Sequence, residues 1–359
     1  PQLKGITIGG AVAGLGIESS CFRYGLVHET VLELEVLLAS GDIVICTADN
    51  GYRDLFFAFP NSYGTLGYAL RVKAKTVPAK PFVRLRHLQF AYSGDFFRAL
   101  ERHCAPDSGN DFVDGVIFSP NLYILTLGRF VDECGAPSDY TFMNIYYRSL
   151  TARDSDCLTT LGYIWRWDTD WFWCSRVLGA QNPILRRLLG RSRLNSRFYK
   201  KIVGWNDRIG LRQRLRNIGG VAQETIIQDV DVPAAKARDF ADFYFSEISL
   251  FPLWICPFRS LIPGRQFTLF PIETNALYVN FGFWDAKTTK TKFPEGHFNR
   301  LIEQEIIRLG GTKSLYSDSF FTPEEFSRLY NGEAYGAIKR KYDPEGRLPD
   351  LYGKCVLGQ

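Results

Sequence analysis

The sequence predicts an α+β protein, and three observations support this prediction. The first stretch, to about Arg84, reads as short strand patterns separated by turn residues. From Phe82 to about Leu309, strand patterns alternate with amphipathic helices. Near the end, the segment Thr322–Glu325 is a capping box with proline at the first helical position, which opens a helix.

The first stretch contains a predicted β-hairpin. Four apolar residues alternate with other residues in the period-two pattern of a half-buried strand: Leu32, Leu34, Val36 and Leu38. The turn residues Ala39–Asp42 lead to a second arm at Ile43–Thr47. A short helix over Asp54–Phe59, ended by Pro60, and a strand over Tyr68–Val77 are predicted to follow.

Two longer helices are predicted in the second half of the chain. Pro233 suits the first position of a helix over Ala234–Ser246. The spacing of apolar residues in His297–Leu309 places them on one helix face, and Gly310-Gly311 ends that helix.

The composition limits the classes of function. The chain has 359 residues, 46% of them hydrophobic and 23% charged, which is ordinary for a folded globular protein. The net charge of +5 is modest, and no recognition-helix, zinc-finger or RNA-binding signature accompanies it, so we predict no nucleic-acid partner. The aromatic fraction of 15% suits a pocket for a large flat or greasy ligand, but it also suits a packed core.

Cysteine and histidine usage predicts no metal site. The eight cysteines include no CxxC pair, and the four histidines form no ligand cluster. In a chain of this length, scattered cysteines indicate reduced thiols and a cytoplasmic setting. No apolar run reaches the ~20 residues that cross a bilayer, and no signal peptide is visible.

The most informative segment is Thr7–Ser20, which contains four glycines and two serines and is predicted to follow a short strand. Glycines let the backbone approach a ligand, and successive N–H groups then bind a pyrophosphate. Within the segment, Gly14–Ser19 nearly matches the Rossmann fingerprint, but the residues after it predict a loop where that fingerprint requires a helix. From the residues alone, a nucleotide site and a plain glycine-rich connection both stay open.

The order of these features resembles a known superfamily. A glycine-rich loop, a hairpin, a short acidic helix and a Gly-Thr-Leu-Gly turn are similar to the second half of the FAD domain of the vanillyl-alcohol-oxidase/p-cresol-methylhydroxylase (PCMH) superfamily. Thr7–Ser19 is similar to the FAD loop of the delta-24 sterol reductase family. Further segments resemble that family as well: Asn182–Arg186, Gln228–Pro233, Leu253–Phe258, Leu315–Asp318 and Glu324–Phe326.

The resemblance implies a flavin site and its residues. Residues of the glycine segment would hold the pyrophosphate and ribityl region of FAD: Thr7, Ile8, Gly9, Gly10, Ala11, Val12, Ala13, Gly14, Leu15, Gly16, Ile17, Glu18, Ser19 and Ser20. Gly25 and Leu26 would lie near the adenine. The turn Gly64, Thr65, Leu66 and Gly67 would close the other side.

The resemblance also implies a division into domains. Residues 1–84 would form the second part of the FAD domain, residues 85–315 a substrate cap, and residues 316–359 a return to the FAD domain. The family's first FAD subdomain does not appear in the sequence, so we expect this chain alone to bind FAD weakly. That expectation also leaves room for an N-terminal anchor in a preceding part.

The activity implied is the FAD-dependent reduction of a carbon–carbon double bond in a lipid, either sterol-like or a methylene-branched fatty acyl chain, with NADPH as electron source. Such a reaction needs a proton donor. Tyr316 and Asp318, in the family-like C-terminal motif, are the candidate catalytic residues. Two alternatives remain: an alcohol oxidase or dehydrogenase of the same superfamily, and a non-catalytic membrane-associated protein with a degenerate flavin site.

A basic segment adds a predicted partner. Residues 186–216 contain eleven Lys or Arg and one acid, interleaved with apolar residues, and tryptophans precede them within 163–216. Such segments bind anionic membrane surfaces, so we predict a peripheral membrane contact, with a solvated helix face as the alternative. The oligomeric state is left open.

Overall fold

The fold is described by a computed structural model for residues 2–209, 222–262 and 266–359, with the side chains of 205–209 outside the description. A three-stranded antiparallel sheet has the order β2-β1-β3, with β1 Val31–Leu37, β2 Ile43–Thr47 and β3 Tyr68–Ala74. An eight-stranded antiparallel sheet has the order β11-β8-β10-β9-β5-β6-β4-β7. Its strands are β4 Phe82–Phe90, β5 Phe112–Ser119, β6 Leu122–Val131, β7 Ser155–Thr159, β8 Ala222–Pro233, β9 Leu253–Phe258, β10 Tyr278–Thr289 and β11 Thr312–Lys313.

Helices surround both sheets, as the α+β prediction required. In chain order they are α1 Ile8–Ala13, α2 Cys21–Tyr24, α3 Arg53–Ala58, α4 Ser93–His103, α5 Tyr146–Ser149, α6 Thr160–Ile164, α7 Pro183–Leu189, α8 Ser196–Ile209, α9 Ala237–Glu247, α10 His297–Leu309, α11 Pro323–Leu329, α12 Gly332–Tyr342 and α13 Leu351–Cys355. Short 3-10 turns lie at Val27–Thr30, Cys174–Arg176 and Ala234–Lys236. The predicted helix over 234–246 therefore begins as a 3-10 turn, after Pro233 has ended β8.

The predicted hairpin is present, with one change in which residues face inward. A register shift against β3 between Val31 and Glu33 buries Val31 and leaves Leu32 about 40% exposed. Beyond the shift, Leu34 and Val36 are buried as the period-two pattern predicts. The helix predicted before Pro60 is α3, and the strand predicted over 68–77 ends at Ala74.

The three-stranded sheet shares its core with the C-terminal helices. Apolar residues of β1, β2 and α3 pack with those of α11, α12 and α13. Tyr342 donates its hydroxyl hydrogen bond to Asp54 at 2.7 Å, and the hydroxyls of Tyr335 and Thr65 lie 2.9 Å apart. Residues after β11 thus pack against the start of the chain, while residues 82–313 build the eight-stranded sheet. The domain limits given above stay predictions.

The glycine segment differs from its prediction, because it contains a helix where a strand and loop were expected. Thr7 caps α1 by accepting a hydrogen bond from the Gly10 amide, and Ala11 and Val12 bury their side chains. This capping and burial outweigh the poor helix propensity of Gly9 and Gly10. Cys21–Tyr24, predicted as a loop, forms one helical turn that ends at Gly25. The near-match to the Rossmann fingerprint therefore follows a helix, whereas that fingerprint requires a preceding strand.

Different elements pack against the two faces of the eight-stranded sheet. Helices α4, α9 and α10 pack their apolar residues on one face. The other face is covered by an aromatic layer from residues 140–173, which includes Tyr146, Trp167 and Trp173. Because side chains alternate along a strand, the central strands β5, β6, β9 and β10 contribute to both layers.

The cysteines require one correction. Cys134 and Cys157 form a disulfide, so the prediction of reduced thiols was wrong for this pair. Sequence spacing could not show the pairing, because β7 brings Cys157 close to the loop after β6 only in the fold. Among the described residues, no helix is long and apolar enough to cross a membrane, and no cluster of side chains suits a metal ion.

Candidate functional site

A cavity of about 1310 Å³ lies between the glycine segment and the eight-stranded sheet. Most ligand pockets have volumes of roughly 300–1,000 Å³, so this one has room for a large cofactor and part of a second ligand. Its walls come from the segment around α1, the loop before β3, the aromatic layer, and strands β8 and β10.

The first wall is built mainly from predicted flavin-binding residues. Twelve of them line the cavity: Thr7, Gly9, Gly10, Ala11, Ala13, Gly14, Leu15, Gly16, Ile17, Glu18, Gly64 and Gly67. A Cβ on Gly14 would lie 3.1 Å from the Gly10 carbonyl oxygen, and one on Gly67 would lie 2.6 Å from the Leu37 carbonyl oxygen. Close backbone approach and a φ of 132° therefore require glycine at Gly67, while at Gly14 a side chain would make the space tight.

The other eight predicted residues do not border the cavity: Ile8, Val12, Ser19, Ser20, Gly25, Leu26, Thr65 and Leu66. Val12, Leu26 and Leu66 are buried in the core, because their apolar side chains pack there. The Ser19 hydroxyl is hydrogen-bonded to Tyr163, and the Thr65 hydroxyl donates to a backbone carbonyl. The buried members of this group therefore contribute to packing, whereas Ile8 is exposed outside the cavity.

Tyr63 joins the first wall to the C-terminal part of the chain. Its hydroxyl donates to the Gly14 carbonyl at 3.1 Å and accepts a hydrogen bond from the Leu315 amide at 2.8 Å. Burial raises the pKa of Tyr63 well above its usual value, so the hydroxyl keeps its proton. This link places the segment that starts at Leu315 directly against the glycine wall.

The second wall is aromatic. Phe172 lies between Trp254 and Trp284, with ring centroids 5.2 and 4.8 Å away, and all three residues line the cavity. Trp171, Phe172 and Trp173 each have a positive φ, of 47°, 48° and 59°. Such backbone costs about 1–3 kcal/mol per residue and is found preferentially at ligand sites.

Buried contacts hold this left-handed turn in place. The Trp167 ring stacks on Phe172 at 4.8 Å, while Asp170 binds the buried Arg186 at 2.7 Å. The fold therefore offsets the strain of a turn that presents aromatic rings to the cavity.

The third wall shows how the sheet positions polar groups. On β8, Ile226, Val230 and Val232 pack toward the helices. The odd-numbered residues of the same strand face the cavity: Gln223, Thr225, Ile227 and Asp229. The register pairs Asp229 with Gly282 of β10, and a Cβ on Gly282 would lie only 2.6 Å from Asp229 Oδ1. Gly282 thus leaves the space that this carboxyl group occupies.

One of the two predicted catalytic residues lies in the cavity. Tyr316 lines it beside Asp229, and the Tyr316 hydroxyl accepts a hydrogen bond from Trp284 Nε1 at 2.8 Å. Its side chain is 45% exposed because it borders the open cavity. Asp318 does not line the cavity: it is exposed, and its backbone carbonyl accepts a hydrogen bond from Lys313. The role of Asp318 stays a prediction, and Asp229 is the carboxyl group that lines the cavity beside Tyr316.

Asp229 and its neighbour Asp231 have unusual acidity. Burial raises the pKa of Asp229 to about 7, and the hydrogen bond from Tyr316 opposes this shift. Burial raises the pKa of Asp231 to about 8, the Asn280 amide opposes this shift, and the negative charge of Asp229 adds to it. The two groups titrate as an interacting pair, and burial favours the protonated form of both, although only Asp229 lines the cavity.

The residues present fit FAD. Glycines let backbone amides approach phosphates, and Lys200 lines the same part of the cavity with a positive charge. The aromatic wall offers flat apolar surface to a ring system. Sequence analysis missed Asp229, although it lies in the family-like segment 228–233. Its burial and its position opposite Gly282 depend on sheet register, which the sequence does not show.

Comparison with known proteins agrees with this fit. A family described as FAD binding domain matches residues 2–47. The chain is 28% identical to Delta(24)-sterol reductase of Homo sapiens, over 99% of this chain and 68% of the relative. It is 26% identical to Delta(24)-sterol reductase of Arabidopsis thaliana, over 100% and 69%.

Another enzyme matches a shorter region. Cytokinin dehydrogenase 3 of Arabidopsis thaliana is 35% identical over 114 residues, which is 31% of this chain and 21% of the relative. The FAD match, the sterol reductase matches over nearly the whole chain and the α+β architecture agree with one another. The chain is therefore an FAD-dependent oxidoreductase with an FAD-binding match near its start, and it is similar to the Delta(24)-sterol reductases over nearly its whole length.

Proposed function

We propose that the protein reduces a carbon–carbon double bond of a sterol-like lipid, with NADPH as the source of electrons. One arrangement supports this proposal above all. The glycine wall, the aromatic wall and the Asp229 carboxyl group, whose pKa is raised by burial, line the same cavity. The similarity to Delta(24)-sterol reductases points to the same class of substrate.

Each wall has a role in this proposal. The backbone surface at Gly9 and Gly10 would face the pyrophosphate of FAD, with Lys200 adding positive charge. The amides of Gly10 and Gly14 already donate to Thr7 Oγ1 and to the Gly10 carbonyl. Bound and reduced FAD supplies the hydride. Trp171, Phe172 and Trp254 would exclude water and hold the apolar ligand. Their ring faces also favour the positive charge that develops when a proton adds to an isolated alkene.

The outer surface near the cavity offers a way in for a lipid. Val177 lines the cavity and is 59% exposed, and Ile184 and Leu188 of α7 are 72% and 74% exposed. Arg187 and Arg193 are exposed near them. We propose that this set, called the α7 surface, contacts an anionic membrane, where cationic charge and apolar side chains act together.

The α7 surface is narrower than the basic segment predicted from sequence. Arg186 is buried in its ion pair with Asp170, and Leu189 and Phe198 are partly buried against a small core. Arg212, Arg214 and Arg216 lie outside the described residues, as do the side chains of Trp205 and Arg208.

Half-reactions test the proposed function. The intact flavin-loaded protein should lose its flavin colour with NADPH under anaerobic conditions. A delta-24 unsaturated sterol should then restore the colour, while the saturated sterol should not. Stopped-flow absorbance measures both steps.

Two outcomes would contradict the proposal. Flavin reduction by an alcohol, with no response to any alkene, would favour an alcohol oxidase. Reduction by NADPH with no reoxidation by unsaturated sterols or methylene-branched acyl chains would exclude the proposed substrate class.

A further inference from the structure

The inference concerns the source of the proton and rests on the proposed function. An isolated alkene is not electrophilic, so hydride addition at one carbon requires a proton at the other. A donor must lie in the cavity, hold a proton near neutral pH and be free of a competing partner.

Three other titratable groups of the described cavity wall do not meet these conditions. Asp285 is ion-paired with Arg176 at 2.7 Å. The Tyr63 hydroxyl is occupied by Gly14 and Leu315. Cys174 lines the cavity too, and burial together with the charge of Asp285 raises the pKa of its thiol to about 12, so it is a poor donor.

Asp229 meets them. It lines the cavity, and its Oδ1 atom is buried with no hydrogen-bond partner among the described residues. Tyr316 lies beside it as the polar neighbour, while Gly282 and Trp284 face it from β10. The charged groups nearby are Asp231 on the same strand and the buried pair of Lys313 on β11 and Glu303 on α10.

Asp229 also lies where the glycine wall and the aromatic wall of the cavity meet. The Tyr63 link holds Leu315 against the glycine wall, and the next residue, Tyr316, is hydrogen-bonded to Trp284 of the aromatic wall. A carboxyl group beside Tyr316 is therefore close to both the glycine side and the aromatic side.

We propose that Asp229 is the catalytic acid, and that Tyr316 positions it. In the balanced step, one alkene carbon accepts hydride from reduced FAD and the other accepts the Asp229 proton. The π bond is lost, two C–H bonds form, FAD becomes oxidised, and Asp229 is left as a carboxylate. Asp231 or solvent in the cavity then returns a proton to Asp229.

Tyr316 has a defined orientation for this role. Because Trp284 donates to its oxygen, the Tyr316 hydroxyl hydrogen is available to Asp229. This hydrogen bond favours the carboxylate form, which the step generates, and opposes the effect of burial on the Asp229 pKa.

The test measures alkene-dependent reoxidation of the reduced protein from pH 5 to 9. In the wild type the rate should be high below about pH 7 and fall above it, because Asp229 loses its proton there. Asp229→Asn should be slower by roughly 100-fold or more and lose this pH dependence, since a positioned acid contributes about 10²–10⁴ in rate. Reduction by NADPH and flavin content should not change.

Two further variants distinguish the proton donor from other polar groups in the cavity. Asp285→Asn, a cavity carboxylate already paired with Arg176, should keep the wild-type pH profile. Tyr316→Phe should shift the fall in rate to higher pH, because the hydrogen bond that lowers the Asp229 pKa is gone. An infrared titration of the flavin-free protein should show a carboxyl group with a midpoint near pH 7 that is absent in Asp229→Asn.

Failure of this inference differs from failure of the proposed function. Wild-type reoxidation rate and pH profile in Asp229→Asn would overturn the role of Asp229 and leave alkene reduction standing. If no alkene reoxidises the wild type, the proposed function fails first. If Asp229→Asn does not fold, the pH shift in Tyr316→Phe decides, and its absence overturns the inference.

Discussion

A buried ion pair lies behind the aromatic wall of the cavity. Arg166 is fully buried and binds Asp114 at 2.7 Å, and its guanidinium lies 3.9 Å from the centre of the Tyr163 ring. Asp114 also accepts a hydrogen bond from Trp254 Nε1 at 3.2 Å. A charge pair on the covered face of the sheet therefore fixes the orientation of an aromatic residue of the cavity.

We predict that Arg166→Leu lowers the free energy of unfolding by about 3–5 kcal/mol, because it leaves the Asp114 charge buried and unpaired. Urea denaturation measures this. The double variant Arg166→Leu/Asp114→Leu should recover much of the loss. Lys80→Ala, which removes an exposed pair with Asp132, should cost less than about 1 kcal/mol. Equal destabilisation in the single and double Arg166 variants would contradict the ion-pair explanation.

At the scale of elements, the segment around α1 combines two kinds of glycine. A Cβ on Gly16 would lie 2.7 Å from Val27 Cγ2 and 3.0 Å from Ala11 Cβ, so this glycine is needed for packing. A Cβ on Gly10 would meet only Thr7 Oγ1, at 3.2 Å, and otherwise faces the cavity. Gly10 thus tests ligand contact with less effect on the fold.

Gly10→Val should abolish flavin retention after gel filtration, because a branched side chain occupies the space that the phosphates need, while its melting temperature falls only slightly. Gly16→Val should lose both flavin and stability. Gly51→Val, at an exposed position with open space around its Cα, should retain flavin. Stoichiometric flavin in Gly10→Val would refute the phosphate assignment.

Elements with local causes were predictable from the sequence. The β1–β2 hairpin, α3 before Pro60 and the capped α11 depend on neighbouring residues, and all three form as expected. The segment around α1 was misread because burial of Ala11 and Val12, a tertiary effect, decides its conformation. The cofactor loop was predicted from its glycines, which the sequence shows directly. Asp229 was not singled out, because its burial and its position opposite Gly282 arise only in the folded sheet.

At the scale of the whole molecule, the α7 surface predicts where the protein meets a membrane. Arg187→Gln/Arg193→Gln should weaken co-sedimentation with anionic liposomes roughly thirtyfold, because each charge is worth about 1 kcal/mol there. Added salt should weaken the wild type in the same way.

Ile184→Ser/Leu188→Ser should weaken the same binding by removing apolar contact. Leu161→Ser, at a position that is 65% exposed on α6, is the matched control and should bind normally. Wild-type sedimentation of both α7 double variants at low salt would exclude the proposed surface.

The eight-stranded sheet has a consequence for how the molecule folds. Its halves, residues 82–159 and 222–313, meet within the described chain at β5 and β9, where three residue pairs form between Gly115–Ile117 and Leu253–Ile255. These partners are roughly 140 residues apart, so closing this seam costs more chain entropy than forming the hairpins on either side. We infer that the seam closes late and opens early. Since Trp254 lies on it, the cavity is completed only when the seam closes, and a bound ligand should slow amide exchange along these strands.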